Sequence, residues 1–174
     1  MRRRDFVAGL FLSAACGCDQ GTSHAGGLNM PDGAPNKIRL IPDNWHIKHV
    51  GRLADGRLFW VDEQLDPAGG ATKDFVCTFI FDQNGRLNQH SIELIEVRGT
   101  YLSGGVAAAM DQHLTALGPH SVTDIWVCPF SVESNGAVFG LIPRRTEDGD
   151  WRVEFMPGNT LSFYPPWEAG EYDT

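Results

Sequence analysis

The segment from Asp74 to Ile95 constrains the fold of this chain more than any other stretch. It reads DFVCTFIFDQNGRLNQHSIELI, two β-prone arms around an Asp-Gln-Asn-Gly turn. The first arm alternates between two sets of side chains: Phe75, Cys77, Phe79 and Phe81 against Val76, Thr78 and Ile80. Both faces are apolar, and a strand of that kind has to be covered on each side. The segment therefore predicts a central hairpin whose phenylalanines and Ile80 lie in the core.

Shorter β patterns lie on both sides of this hairpin. They cover residues 37–41, 45–53, 58–65, 123–132, 137–142, 151–156 and 161–164. The pair Asp55-Gly56 separates two of these runs, and Asp-Gly in that position is a strong hairpin signal. The pattern is typical of a turn-rich, largely antiparallel β protein.

Helical spacing occurs in one segment, from about Ser103 to Leu117. Ser103 is the expected N-cap, and Gly118-Pro119 is the expected stop. The apolar stripe of this helix consists of Val106, Met110, His113, Leu114 and Leu117. The element order ββ-ββ-α-ββ-ββ predicts the α+β class, a largely antiparallel sheet of hairpins with one amphipathic helix packed on a face.

Residues 1–18 have the anatomy of an export signal. A basic start precedes an apolar run from Phe6 to Ala15, which at roughly ten residues is too short to span a bilayer. The stretch Arg3-Arg4-Asp5-Phe6-Val7 resembles a twin-arginine signal. The stretch from Leu12 to Cys18 resembles a loose lipoprotein box, which makes Cys16 and Cys18 the lipidation candidates.

Two alternatives to this N-terminal interpretation remain open. Ser23-His24-Ala25 is a competing cleavage site of ordinary type. A translation start at Met30 would instead leave a cytoplasmic protein. Under the leading interpretation, residues 19–36 form a flexible tether and residues 37–174 a single domain. The expected location is then the periplasm, with a lipid anchor as the contact with the membrane.

Cys77 and Cys128 remain once the N-terminal cysteines are set aside. An oxidising compartment would permit a disulfide between them if their strands were neighbours. The alternative is two buried free thiols, because cysteine is among the most buried residue types. Neither cysteine belongs to a Cys-x-x-Cys pair, so no metal site is expected.

Charge and motif content argue against several classes of function. The net charge of −8 and the lack of a basic stripe argue against nucleic-acid binding. His46 and His49 fall three residues apart in a predicted strand, where they would face opposite sides and not share a metal. The chain has no phosphate-binding glycine loop, nucleophile elbow or paired carboxylates. We therefore expect no catalytic residues, no metal and no cofactor.

An aromatic cluster near the C-terminus allows two interpretations. Its members are Phe163, Tyr164, Trp167 and Tyr172, interleaved with Pro165 and Pro166. The segment either folds back to cover apolar surface or exposes a patch that binds a protein partner.

The same region carries a family resemblance. Its residues are Trp151, Pro157, Leu161, Phe163, Pro166-Trp167-Glu168 and Gly170-x-Tyr172-Asp173-Thr174. Upstream blocks are 50–59, Phe81-Asp82-x-x-Gly85 and Phe139-Gly140-Leu141-Ile142. Together they resemble a bacterial family often labelled formate hydrogenlyase regulatory protein, over about residues 41–174. The resemblance implies a small cytosolic domain without assigned catalytic residues, and the chain differs from that family in its export-like segment.

These observations predict a non-enzymatic, exported and lipid-anchored protein that binds another protein, in an inhibitor, immunity-type or accessory role. An acidic surface of this kind could meet a basic active site. A cytoplasmic regulatory module starting near Met30 is the first alternative. An uncharacterised enzyme is the second.

Overall fold

The computed structural model describes residues 30–68, 71–97 and 105–174. The first of its two large sheets contains five antiparallel strands in the order β5-β4-β3-β2-β6. Their bounds are β2 (His49–Leu53), β3 (Leu58–Asp66), β4 (Lys73–Phe81), β5 (Leu87–Val97) and β6 (His120–Val122). The predicted central hairpin is β4–β5, and every residue of β4 after Lys73 is buried. The expectation that this arm is covered on both sides is confirmed.

The second large sheet is built from the C-terminal part of the chain, in the order β12-β11-β10-β9-β8. Its strands are β8 (Phe130–Ser134), β9 (Ala137–Arg145), β10 (Trp151–Met156), β11 (Ser162–Phe163) and β12 (Tyr172–Asp173). A separate pair, β1 (Ile38–Leu40) and β7 (Ile125–Val127), lies antiparallel with Ile38 opposite Val127. The α+β class is confirmed, with the strands divided between sheets instead of forming a single one.

Two predicted strands are shorter or more divided than expected. The run 45–53 is a strand from His49, because residues 44–46 form a bend. The run 123–132 predicted one strand, but the segment 120–134 contains β6, β7 and β8, each in a different sheet. β6 pairs with β2, β7 with β1 and β8 with β9. Partners distant in sequence, which local patterns do not reveal, determine these breaks.

The helix α1 (Gly105–Ala116) lies on the outer face of the first sheet. Val106, Met110, Leu114 and Leu117 pack on a cluster that includes Phe59, Val61, Val76 and Ile80 of the sheet. The helix ends at Gly118, which has φ +68° and donates its N–H to the carbonyl of Thr115. The predicted apolar stripe is confirmed, whereas Ser103 lies outside the described residues.

The main core fills the space between the two large sheets. Aromatic rings from both sheets meet there: Trp60 stacks on Phe155 at 4.0 Å, and Phe75 contacts Phe139 edge-on at 5.0 Å between ring centroids. Phe79 lies 4.9 Å from Phe130. Aromatic pairs at such separations add to the free energy gained by burial itself. The domain is thus a helix, a sheet and a second sheet in three layers.

The N-terminal predictions fall largely outside the described residues. The export segment, Cys16, Cys18 and residues 19–29 of the predicted tether belong to that undescribed part. Residues 31–36 form a turn against the domain, with Pro35 buried and the Arg145 guanidinium 3.5 Å from the Asp32 carbonyl. The described end of the predicted tether is therefore part of the fold. No helix in the described ranges is long and apolar enough to cross a membrane.

Candidate functional site

A cavity of about 650 Å³ lies where the first sheet is incomplete. β3 pairs with β4 as far as Asp66, but it pairs with β2 no further than Val61. One edge of β3 beyond Val61 is therefore open to neighbouring segments. The cavity lining consists of Trp45, His46, Lys48, His49, Asp62, Glu63, Leu65, Val106, Ala107, Met110, Thr160 and Leu161. We call this the Trp45 cavity.

Three parts of the chain meet at the cavity. The turn before β2 supplies Trp45 to His49, the open part of β3 supplies the carboxyls, and α1 supplies an apolar wall. The turn between β10 and β11 closes the remaining side. A Cβ on Gly158 would overlap the carbonyl of Leu65, so only glycine permits this approach of the turn to β3.

The turn that carries Trp45 is fixed by a single carboxylate. Asp43 Oδ1 accepts backbone N–H groups from Trp45 at 2.6 Å, His46 at 2.8 Å and Ile47 at 3.2 Å. The Tyr172 hydroxyl donates to Oδ2 of the same carboxylate. Trp45 itself is 78% exposed, while Ile47 is fully buried beneath the turn. An exposed tryptophan thus stands on a rigid support.

The pKa values of Asp43 and Tyr172 reflect this contact. Partial burial raises the pKa of Asp43, but the Tyr172 hydroxyl and the backbone N–H groups outweigh it, so that the net pKa is lowered. Burial and the hydrogen bond to Asp43 raise the pKa of Tyr172 to about 12. At neutral pH the pair is therefore a carboxylate accepting from a phenol.

Asp62 is the most perturbed group of the cavity. Burial raises its pKa well above the ordinary value, against the opposing effect of a hydrogen bond from Gln64. Gln64 Nε2 lies 3.0 Å from Asp62 Oδ2 and 3.4 Å from Thr160 Oγ1. The Gln64 side chain is fully buried, and its Oε1 has no hydrogen-bond partner in the described part of the chain. This polar group interrupts a strand face that is otherwise apolar.

The other titratable side chains of the cavity lie nearer its mouth. His46, Lys48 and Glu63 are exposed, and His49 is half-buried. Burial, and next the charge of Lys48, lower the pKa of His49. His49 is therefore neutral at pH 7, and the lining has two carboxyl groups for one ammonium.

A hydrogen-bonded chain on the helix-facing side of the first sheet resembles a catalytic triad at first sight. Thr78 Oγ1 lies 2.7 Å from His113 Nδ1, and His113 Nε2 lies 3.1 Å from Glu93 Oε2. Thr78 is buried and does not line any described cavity. The chain joins α1 to β4 and β5, in agreement with the expectation that His113 lies at the edge of the core.

The predicted aromatic patch is divided by the structure. Phe163 is fully buried between the sheets, so its ring is not available to a partner. Tyr164, Trp167 and Tyr172 are half-buried, and the last two pack against the main core. The segment covers apolar surface, as the first interpretation holds, and Tyr172 additionally supports the Trp45 turn.

The remaining predicted residues occupy separate places. Cys77 and Cys128 are both free thiols, Cys77 buried in the main core and Cys128 half-buried with its Sγ 3.8 Å from the Asn84 carbonyl. Burial raises the pKa of both thiols. Thiols in this state are poor nucleophiles at neutral pH.

The geometry proposed for His46 and His49 is wrong. The two residues do not share a strand, because the bend at residues 44–46 turns the chain, and both line the Trp45 cavity. The described residues nevertheless contain no group of three histidine, cysteine or acidic side chains placed to hold a metal ion.

The sequence reasoning missed Asp43, Trp45 and Asp62. A signal for Asp62 exists: Asp62 and Gln64 follow Trp60 on the same face of β3, in a strand whose neighbouring positions are apolar. Asp43 followed by three residues that supply N–H groups is a capping pattern.

No protein-family model, curated protein or solved structure matches the chain significantly. The resemblance to the formate hydrogenlyase regulatory family therefore stays a prediction.

Proposed function

We propose that this is a non-enzymatic binding protein that recognises a segment of another protein through Trp45 and the Trp45 cavity. The observation that carries the proposal is a 78%-exposed tryptophan on a turn held by four hydrogen bonds to one carboxylate. Tryptophan is enriched among the residues that dominate binding free energy. A turn that is already rigid loses little conformational entropy on binding.

The shape of the surrounding surface supports a protein segment as the occupant. The apolar wall of the cavity, from Leu65, Val106 and Met110, lies directly beside the exposed indole. A side chain inserted next to Trp45 would thus be buried against both. A central apolar pocket with a polar mouth is the usual anatomy of a binding hot spot.

The polar contacts of the cavity support a non-enzymatic role. Among the described cavity residues, hydrogen bonds join Gln64 to Asp62 and to Thr160, and none joins an imidazole to a carboxylate. General acid–base catalysis needs a base oriented within hydrogen-bond reach of its proton donor. No such pair lines the cavity in the described ranges.

The net charge favours a basic partner. The chain carries 22 acidic against 14 basic residues. Charge complementarity of this kind steers association and selects partners. An inhibitor or immunity-type protein that covers a basic active site is the concrete version that we propose.

The proposed location follows from residues 1–18. Their export-signal anatomy supports a periplasmic protein anchored through a lipid on Cys16 or Cys18. Mass spectrometry of the mature N-terminus after cell fractionation tests this. A diacylglyceryl-cysteine at the N-terminus is the expected result, and a cytosolic protein beginning at Met30 would overturn it in favour of the cytoplasmic regulatory module.

The binding proposal is tested by affinity capture from the envelope fraction with three proteins: wild type, Trp45→Ala and Trp126→Ala. Trp126 is 39% exposed on β7 and lies outside the cavity, so it is a matched control. We expect a partner that wild type and Trp126→Ala retain and that Trp45→Ala binds about 30-fold more weakly, as for a hot spot of 2 kcal/mol. Capture that does not depend on Trp45 would contradict the proposal.

A further inference from the structure

The Asp62 carboxyl has an unusual position for an acidic side chain. It lies at the lining of a cavity that a ligand can enter, yet it forms no ion pair with any residue in the described ranges. By comparison, the buried carboxyls of Asp66 and Glu154 do have cationic partners. A partly desolvated carboxylate without a counter-ion gains the most from a cation supplied from outside.

Gln64 holds this carboxyl in place. Its amide donates to Asp62 Oδ2, and a second contact of the same Nε2, 2.9 Å from the Glu63 carbonyl, fixes the amide against the strand. The amide of a fully buried side chain has little freedom to move. The carboxyl is therefore pre-oriented as an acceptor, which reduces the entropic cost of forming a further contact.

The wall opposite the carboxyl suits an aliphatic stem. Val106 and Met110 of α1, with Leu65 and Leu161, supply apolar surface along the cavity. Lysine and arginine side chains bury their methylene groups against such surfaces while the charged end reaches a polar partner. The cavity thus combines the two environments that these side chains need.

The cation already present in the lining does not fill this role. Lys48 is exposed, and no ion pair joins its ammonium to Asp62. Glu63 adds a second carboxyl at the mouth of the cavity. The lining therefore remains favourable for one more positive charge.

We propose that the Trp45 cavity binds a primary amine or guanidinium group, with Asp62 as its counter-ion and the helix wall around its aliphatic stem. This inference rests on the proposed function and specifies it: the group is the lysine or arginine side chain that the protein partner inserts beside Trp45. The same chemistry would also admit a free alkylamine.

The test is a titration of the full chain followed by NMR, with four probes of defined chemistry. Capped tripeptides with a central lysine, arginine or norleucine compare the charged stems with an uncharged one, and hexylamine represents a free amine. We expect saturable shifts of cavity amides, and affinity for the lysine peptide at least about tenfold above that for the norleucine peptide.

Variants assign the effect to the carboxyl. Asp62→Asn keeps the shape of the side chain and should reduce lysine-peptide affinity to the norleucine level. Asp148→Asn removes the same charge from an exposed loop outside the cavity and should leave affinity unchanged. Tighter binding of the lysine peptide than of hexylamine identifies a protein side chain as the source, whereas equal binding identifies a free amine; both support the amine site.

Equal affinity for the lysine and norleucine peptides, or no binding of any probe, would overturn the amine site. Trp45-dependent capture of a partner would in that case leave the proposed function intact. Conversely, lysine-peptide binding without Trp45-dependent capture would support the amine site and overturn the proposed function.

Discussion

Replacing Tyr172 with phenylalanine removes one hydroxyl and leaves the ring packed on the core. The lost contact is the hydrogen bond from that hydroxyl to Asp43 Oδ2. Hydrogen bonds to charged groups contribute about 1.5–3 kcal/mol, and partial exposure of both groups places this one near the lower limit, about 1–1.5 kcal/mol. For a chain of this size that loss lowers Tm by about 2–6 °C.

The pH dependence of this loss has a definite sign. The folded-state pKa of Asp43 is lowered, so the stabilisation is present above the ordinary value of 3.8 and disappears as pH falls through the folded pKa. The difference between wild type and Tyr172→Phe should therefore be constant near neutral pH and shrink below 3.8. At the alkaline end, the pKa of about 12 means that wild type loses this stabilisation as pH rises from 10 through 12.

Urea denaturation followed by circular dichroism measures the free energy of unfolding, and amide hydrogen exchange at residues 45–47 reports on the turn. Tyr164→Phe is the matched control, since Tyr164 belongs to the same segment and forms no side-chain hydrogen bond among the described residues. We expect faster exchange at the three amides in Tyr172→Phe alone. Equal destabilisation by both variants, or unchanged exchange in Tyr172→Phe, would refute the argument that this hydroxyl supports the turn.

Three further outcomes can be checked by the same denaturation measurements. Asp62→Asn should stabilise the protein at pH 7 by about 1 kcal/mol, because the raised pKa means that folded stability declines as pH rises above 3.8; an equal gain at pH 3 would contradict this. Thr78→Val should cost about 1–2 kcal/mol by leaving His113 Nδ1 without its partner, and no loss would show that the chain is dispensable. Gly85→Ala should cost clearly more than the roughly 1 kcal/mol expected for Gly136→Ala: both have positive φ, but a Cβ at Gly85 overlaps neighbouring backbone and one at Gly136 meets nothing; similar costs would contradict the close packing.

Local periodicity explains which parts of the fold were predictable. The two apolar faces of β4 and the spacing of Val106, Met110 and Leu114 are properties of consecutive residues, and both predictions are confirmed. The division of segment 120–134 was not predictable in this way. Its three strands pair with β2, β1 and β9, and the choice among these partners depends on the whole assembled chain.

The candidate site was missed for a related reason. The cavity exists because β2 stops opposite Val61 while β3 continues to Asp66, a mismatch between strands that no local pattern reveals. His46 and His49 were assigned to one strand, and the bend fixed by Asp43 was overlooked. Tyr172 was correctly singled out as an aromatic of interest, but its contact with Asp43 became visible only in three dimensions.

The bond between Tyr172 and Asp43 joins residues 129 positions apart and so sets a schedule for biosynthesis. A ribosome adds about 5–20 residues per second, so Trp45 emerges many seconds before its support has been made. During that interval the turn lacks its phenol, and the nascent chain presents a less ordered tryptophan. Competence to bind is therefore acquired late, after the chain has been synthesised as far as β12, and premature capture of a partner on the ribosome is disfavoured.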